Sequence, residues 1–238
     1  MARTQEAFWR YQDIALFVAL TLPAMLLGHL LVLGFTQLIR LRPETRAEML
    51  ISSQFTGYGL LLLALYGIIR VQYRRPFWES LGWVRPEESL GILALQGIGL
   101  ALAVAMVGAL LQTPDIETPM RELLADRRSV VLVGIFAVTL GPFFEELAFR
   151  GFLQPLLVRS LGTAPGILLA ALPFGLLHLQ QYAFSWRHGL LVTLAGMAFG
   201  WIRHRTGSTM AATAAHAAYN LTFFISLLTQ WRHLPNAW

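Results

Sequence analysis

Long apolar blocks constrain the fold of this chain more than any other feature. A membrane-spanning helix needs about 20 mostly apolar residues, and seven apolar blocks approach or exceed that length. Because lipid offers the backbone no hydrogen-bond partners, such blocks have to form helices. We therefore predict an all-α, polytopic membrane bundle of seven transmembrane helices, or eight if residues 151–161 form a segment of their own. The blocks run roughly over residues 14–39, 51–69, 90–111, 130–158, 165–179, 188–202 and 208–228.

The composition agrees with a membrane protein and excludes several other classes. Of the 238 residues, 56% are hydrophobic and only 13% are charged, whereas about 25% is usual for a soluble domain. The 18 basic residues are all arginines and are scattered between the apolar blocks, as is typical of charges that flank membrane spans and not of a nucleic-acid-binding face. Since the sequence has no cysteine, disulfides, thiolate nucleophiles and cysteine-based metal sites are excluded. The lipid bilayer is therefore an expected partner, and a nucleic acid is not.

Two adjacent glutamates interrupt the fourth block. Glu145 and Glu146 are followed by Arg150 within a stretch that is otherwise apolar, and charged groups inside a span are costly and by default indicate function. Residues four apart share one face of a helix, so Glu146 is the better partner for Arg150. Glu145 points about 100° away. A desolvated, incompletely paired carboxylate can act as a general base, which makes Glu145 the candidate.

Two later blocks contain histidines with polar or aromatic companions at helical spacing. His178 follows Phe174 by one turn, and His216 precedes Asn220 by one turn. Each feature has a structural interpretation as well: the Glu146–Arg150 pair as an intramembrane salt bridge, and the histidines and Asn220 as interhelical hydrogen-bond donors. Their occurrence together in one membrane protein favours a functional site.

The residue types narrow the possible chemistry. No histidine is followed by glutamate, so a zinc site of the His-Glu-x-x-His kind is excluded. Ser208 follows Thr206-Gly207 and fits a helix N-cap better than a nucleophile. What remains is a carboxylate–histidine site with Glu145 as base, His178 holding the water, and His216 and Asn220 as donors to an oxyanion. Alternatively, Glu145, His178 and His216 could bind a divalent metal such as zinc; the metal-free version is favoured.

At this point the three motifs resemble a known family. Glu145-Glu146-x-x-x-Arg150, Phe174-x-x-x-His178 and His216-x-x-x-Asn220 are similar, in this order, to the CPBP family of CAAX proteases and bacteriocin-processing (Abi) enzymes, which includes the type II CAAX prenyl endopeptidase. The resemblance implies an intramembrane endopeptidase. It implies catalytic roles for Glu145, His178, His216 and Asn220, and supporting or structural roles for Glu146, Arg150 and Phe174.

We predict one membrane domain over residues 1–238, with residues 130–228 as the catalytic core and residues 1–129 as additional transmembrane helices. The first block is longer than the apolar region of a signal peptide and is predicted to be a retained span. The all-arginine usage favours a GC-rich prokaryote. The predicted location is therefore a prokaryotic plasma membrane, as an integral multi-pass protein.

Three functions remain open from the sequence. The favoured one is hydrolysis of a peptide bond in a membrane-associated protein or peptide by a water that Glu145 activates, with a metal-dependent protease as a variant of the same site. The second is a non-catalytic membrane scaffold or immunity-type binding protein. The third and least favoured is a proton-coupled transporter, because no pair of broken, repeated half-helices is evident.

Overall fold

The structure is a computed structural model and describes residues 7–40, 43, 45–114, 123 and 126–231. Over these residues the chain is helical and contains no strand, so the predicted all-α bundle is confirmed. The described helices are α1 (Tyr11–Leu38), α2 (Arg46–Gln72), α3 (Phe77–Ser80), α4 (Leu90–Leu110), α5 (Arg127–Leu161), α6 (Thr163–Leu177), α7 (Trp186–Thr206) and α8 (Thr209–Trp231).

Each of the seven apolar blocks corresponds to a helix. Five of them, α1, α2, α4, α5 and α8, are long and apolar enough to cross a membrane. Helix α6 is apolar but has only 15 residues, and α7 carries arginines at both ends. Residues 151–161 are the end of the continuous helix α5 and not a separate segment. Most of the chain between α4 and α5 lies outside the described residues.

Helix α5 lies at the centre of the bundle. It packs against α2, α6, α7 and α8, whereas α7 and α8 also pack against each other and against α4. Helix α1 packs mainly along α2. The two come close where Gly28 faces Gly57: a Cβ on Gly28 would lie only 2.6 Å from the Gly57 nitrogen. The central position of α5 brings its polar residues next to those of α8.

Helix α5 is irregular on both sides of the double glutamate. Residues Phe136–Leu140 and Leu147–Leu153 form π turns, and the short α segment Gly141–Glu146 lies between them. Pro142 and Pro155 each follow a π turn and lack the N–H that would bond to the carbonyl one α turn earlier. Such π turns inside α-helices are frequent at functional sites. Both glutamates therefore lie between the two π turns, which set the direction of their side chains relative to the rest of α5.

The start of α8 is fixed by a cap and by the turn that precedes α4. Ser208 Oγ accepts a hydrogen bond from the Ala211 backbone N–H at 3.2 Å, which confirms the N-cap expected from the sequence. The backbone N–H of Thr209 donates to the Gly82 carbonyl at 2.7 Å. These bonds hold α8 at a defined height in the bundle, and with it His216 and Asn220.

Candidate active site

Glu146 is the fully buried carboxylate of the site. Its Oε1 accepts hydrogen bonds from Arg150 Nη1 at 2.8 Å and from His216 Nδ1 at 2.9 Å. The side chains of Glu146 and Arg150 are 0% and 1% exposed, so the ion pair expected from the spacing is present and is closed to solvent. A buried ion pair is costly, and further hydrogen bonds to its remaining groups offset part of that cost. Here Arg150 Nη2 donates to the Gly196 carbonyl at 2.8 Å, whereas Glu146 Oε2 is buried and has no hydrogen-bond partner among the described residues.

Aromatic rings enclose the guanidinium of Arg150. Its central carbon lies 4.4 Å from the ring centre of Phe174, 5.6 Å from that of Phe199 and 5.8 Å from that of Phe149, distances that allow cation–π attraction. On the α7 side, a Cβ on Gly196 would lie 3.1 Å from both Arg150 Nη2 and the Phe174 ring. The missing side chain of Gly196 therefore permits close packing of α7 against α5 and α6.

Glu145 differs from its neighbour in both pairing and exposure. Its side chain is 18% exposed, and among the described residues it forms no ion pair with an arginine. Its Oε2 lies 3.9 Å from His216 Nε2. The hydroxyl of Tyr58, on α2, interacts with the same carboxylate. Glu145 is thus the accessible and incompletely paired member of the two, as the helix spacing predicted.

His216 lies between the two glutamates, and its ring orientation is fixed. Nδ1 contacts Glu146 and Nε2 faces Glu145. The ring stacks on Phe199 with 4.4 Å between centres and 19° between planes, and the edge of Phe174 packs against it at 5.9 Å. With Glu146 ionised in its pair with Arg150, the carboxylate accepts, which assigns the donating role to Nδ1 of His216.

His178 caps the end of α6 on the other side of Phe174. Its Nδ1 lies 2.7 Å from the Phe174 carbonyl oxygen, and the two rings are 4.6 Å apart. A carbonyl oxygen accepts only, so Nδ1 is the protonated nitrogen and Nε2 is left for another partner. Phe174 contacts both histidines and so separates them. Among the described residues no hydrogen bond joins His178 to Glu145, His216 or Asn220.

Asn220 lies one turn after His216 on α8 and contacts the backbone of α5. Its Nδ2 donates to the Ala137 carbonyl at 2.7 Å. The carbonyl belongs to the first π turn of α5, ahead of the double glutamate. Asn220 is half-buried, and its amide nitrogen has a second hydrogen that this bond does not use.

No group of three or more His, Asp or Glu side chains among the described residues could hold a metal ion. The alternative metal set of Glu145, His178 and His216 is therefore not assembled in this arrangement.

The sequence analysis missed two polar side chains around the site. Gln154 is buried one turn beyond Arg150, and its Nε2 donates to the Gly200 carbonyl at 2.9 Å. Its spacing of four from Arg150 was a usable signal. Tyr58 accepts a hydrogen bond from Gln54 Nε2 at 3.1 Å, and this polar pair in an apolar block was a weaker signal, since nothing in the sequence placed α2 beside α5.

Together the fold and the site define an integral membrane protein of apolar helices with a glutamate–histidine cluster inside its bundle. Residues 127–222, from the first residue of α5 into α8, match the family described as type II CAAX prenyl endopeptidase Rce1-like. Searches of the curated proteins and of the solved structures gave no match. The matched range contains all three motifs, so the resemblance inferred from the sequence is confirmed, and the description of the matched family names an endopeptidase.

Proposed function

We propose that this protein is an intramembrane endopeptidase that hydrolyses a peptide bond of a membrane-associated protein or peptide, and that Glu145 activates the water. The observation that carries the proposal is the contrast between two adjacent carboxylates. Glu146 is closed off by Arg150 and His216, whereas Glu145 keeps an exposed edge. The match of residues 127–222 to a protease family supports the reaction class.

In the proposed reaction Glu145 accepts a proton from a bound water as the oxygen attacks the carbonyl carbon of the peptide bond. The carbon becomes tetrahedral and its former carbonyl oxygen carries the negative charge. When the C–N bond breaks, the proton held by Glu145 passes to the leaving nitrogen. The products are a carboxylic acid and an amine, and Glu145 returns to its starting state. A positioned general base of this kind contributes about 10²–10⁴ in rate.

The other polar side chains have distinct proposed roles. His178 offers its free Nε2 to hold the attacking water. His216 orients its ring through the Nδ1 contact with Glu146, and with a second proton on Nε2 it would donate to the oxyanion. The unused amide hydrogen of Asn220 would be a further donor. Arg150 and Phe174 support the site by holding Glu146 and the two histidine rings.

The test compares the cleavage products that depend on Glu145. Wild-type protein, Glu145→Gln and Glu88→Gln are each expressed in the host membrane, and new peptide termini in the membrane fraction are identified by mass spectrometry. Glu88 is a matched control because it is a surface glutamate that pairs with Arg205 at 3.5 Å. We expect new termini with wild type and Glu88→Gln, and a loss of at least about 100-fold with Glu145→Gln.

The same experiment decides between the alternatives. If termini with Glu145→Gln equal those of wild type, Glu145 is not the base and the proposal is wrong. If no variant produces new termini while a partner protein co-purifies, the function is that of a non-catalytic binding protein.

A second experiment tests whether the reaction needs a metal. The purified wild-type protein is treated with a chelator and then assayed with an identified cleavage-site peptide. A metal-free reaction keeps its rate, and a metal-dependent one loses it.

A further inference from the structure

The backbone of α5 lacks one hydrogen-bond donor ahead of the double glutamate. In an α-helix the Ala137 carbonyl would accept from the Gly141 N–H, but that N–H donates to the Phe136 carbonyl instead. In a π turn the carbonyl would accept from residue 142, which is proline and has no N–H. Ala137 is therefore deprived of both regular donors. An unsatisfied carbonyl inside an apolar bundle is costly, since no lipid group can replace the missing donor.

The side chain of Asn220 supplies the missing donor from another helix. Its Nδ2 lies 2.7 Å from the Ala137 oxygen. Asn220 is on α8 one turn beyond His216, which contacts both glutamates. The two residues thus connect α8 to α5 ahead of the segment Gly141–Glu146, at Ala137, and at the end of that segment, at the two glutamates.

The break matters because it sets the direction of the glutamates. A π turn inserts about one residue relative to a continuous α-helix, and each residue corresponds to a rotation of about 100°. If α5 relaxed to a regular helix here, Glu145 and Glu146 would turn relative to the first part of α5. We propose that Asn220 is a positioning residue that replaces the absent N–H of Pro142, and so holds the π turn that directs Glu145 towards His216.

This inference rests on the proposed function only where cleavage is concerned. The claim that the Asn220 side chain replaces the N–H that Pro142 lacks concerns the structure only, and measurements of stability are sufficient to test it. The sequence motif predicts Asn220 as a donor to the oxyanion. The structure assigns one of its two amide hydrogens to the helix break.

The experiment is a double-mutant cycle with Asn220→Leu and Pro142→Ala in the full-length protein, followed by thermal unfolding in detergent. Asn220→Leu keeps the side-chain size but removes the donor, and we expect the midpoint to fall by about 5 °C. In the Pro142→Ala background, alanine supplies an N–H, so the further fall caused by Asn220→Leu is less than half as large. An equal fall in both backgrounds would overturn the inference. Thr222→Val is the control, because Thr222 donates only to the Ala218 carbonyl within α8, and its effect is the same in both backgrounds.

A second variant keeps the test decisive if Pro142→Ala does not fold. Asn220→Asp can donate to Ala137 only when its carboxyl group is protonated. Its thermal midpoint, relative to that of wild type, therefore rises as the pH is lowered, whereas that of Asn220→Leu does not. Parallel pH profiles of the two variants would contradict the role of Asn220 as a donor.

Cleavage of an identified substrate peptide supplies the functional readout. Asn220→Leu is expected to lower kcat about tenfold or more with KM within twofold of wild type, because the base is misdirected while the binding surface is kept. Losing an oxyanion donor would also lower kcat, so the deciding comparison is the Pro142→Ala background. There the restored N–H keeps the π turn, and the positioning role predicts that Asn220→Leu lowers kcat clearly less than in the wild-type background, whereas an equal fall in both backgrounds would leave Asn220 an oxyanion donor alone. If the wild-type protein cleaves nothing, the proposed function fails but the stability cycle still decides this inference. If stability behaves as expected and kcat is unchanged, Asn220 holds the helix without positioning Glu145, and the positioning role is wrong.

Discussion

Helices α1 and α5 are both long and apolar, yet they differ in what their polar atoms do. In α1 only Asp13 and Gly28 are buried, and most of its large apolar side chains are exposed on the outside of the bundle. In α5 a fully buried Glu146–Arg150 pair is bonded to two other helices. Hydropathy identifies both helices as candidate spans and does not distinguish their roles. The polar groups of α1 reach α2, where Gln72 Nε2 donates to Asp13 Oδ1 at 3.0 Å and Ser53 Oγ lies 3.0 Å from His29 Nδ1. Those of α5 bond to α7 and α8 and form the candidate site, which distinguishes this helix from the peripheral α1.

The largest expected effect on stability is in α5. Arg150→Met removes the cation while Glu146 stays buried, and breaking a buried pair in this way costs about 3–5 kcal/mol. Reversible unfolding by denaturant in mixed micelles would measure the loss. The matched control is Arg205→Met, since its pair with Glu88 is partly exposed and should contribute at most about 1 kcal/mol.

Restoring electrical neutrality sharpens this prediction. The double variant Glu146→Gln with Arg150→Met removes both charges, so it should recover part of the stability that Arg150→Met loses. If the double variant loses more free energy of unfolding than the two single variants together, the buried charge of Glu146 is not the cause of the loss in Arg150→Met.

A smaller effect is expected between α1 and α2. A Cβ on Gly28 would lie 2.6 Å from the Gly57 nitrogen and 3.0 Å from the Ser53 carbonyl oxygen, so Gly28→Ala forces the two backbones apart at a cost of about 1–3 kcal/mol. Gly34→Ala is the control, because nothing lies within 4 Å of its Cβ position. Cleavage should persist in both variants. If Gly28→Ala abolishes cleavage while the protein keeps its full stability, α1 contributes to the reaction and is not a peripheral helix.

The smallest effect concerns the contact that α2 makes with the site. Tyr58→Phe removes the hydroxyl that interacts with Glu145 and with Gln54, while the ring contact with Phe144 at 5.2 Å can remain. One hydrogen bond contributes about 0.5–1.5 kcal/mol, so the rate of cleavage should fall about two- to tenfold with little change in stability. Tyr66→Phe, with an exposed ring on the same helix, should retain the wild-type rate. Equal rates for both variants would place α2 outside the site.

The sequence was sufficient for the helical character of all seven apolar blocks and for contacts within one helix, although only five of the seven helices are long and apolar enough to cross a membrane. The Glu146–Arg150 pair follows from a spacing of four, and the N-cap at Ser208 follows from its local context. Contacts between helices were not predictable in this way, because apolar blocks carry little information about which faces meet. The bridge from His216 to both glutamates depends on the packing of α8 against α5.

The π turns account for a second limit. Pro142 and Pro155 indicate local disturbance of α5, but a proline in a span can produce a kink, a π turn or a break. The bond from Asn220 to Ala137 follows only when the partner of the Gly141 N–H is known. For this reason the motif predicted Asn220 near the reacting group and not at the backbone.

The two parallel bonds between α5 and α7 have a mechanical consequence. Arg150 donates to the Gly196 carbonyl and Gln154 to the Gly200 carbonyl, so both bonds join residues 46 positions apart and lie one helical turn from each other. Sliding either helix by one residue would break both bonds at once. These two bonds therefore fix the register of α5 relative to α7. A movement that admits the proposed peptide substrate preserves both bonds only if it separates other helices.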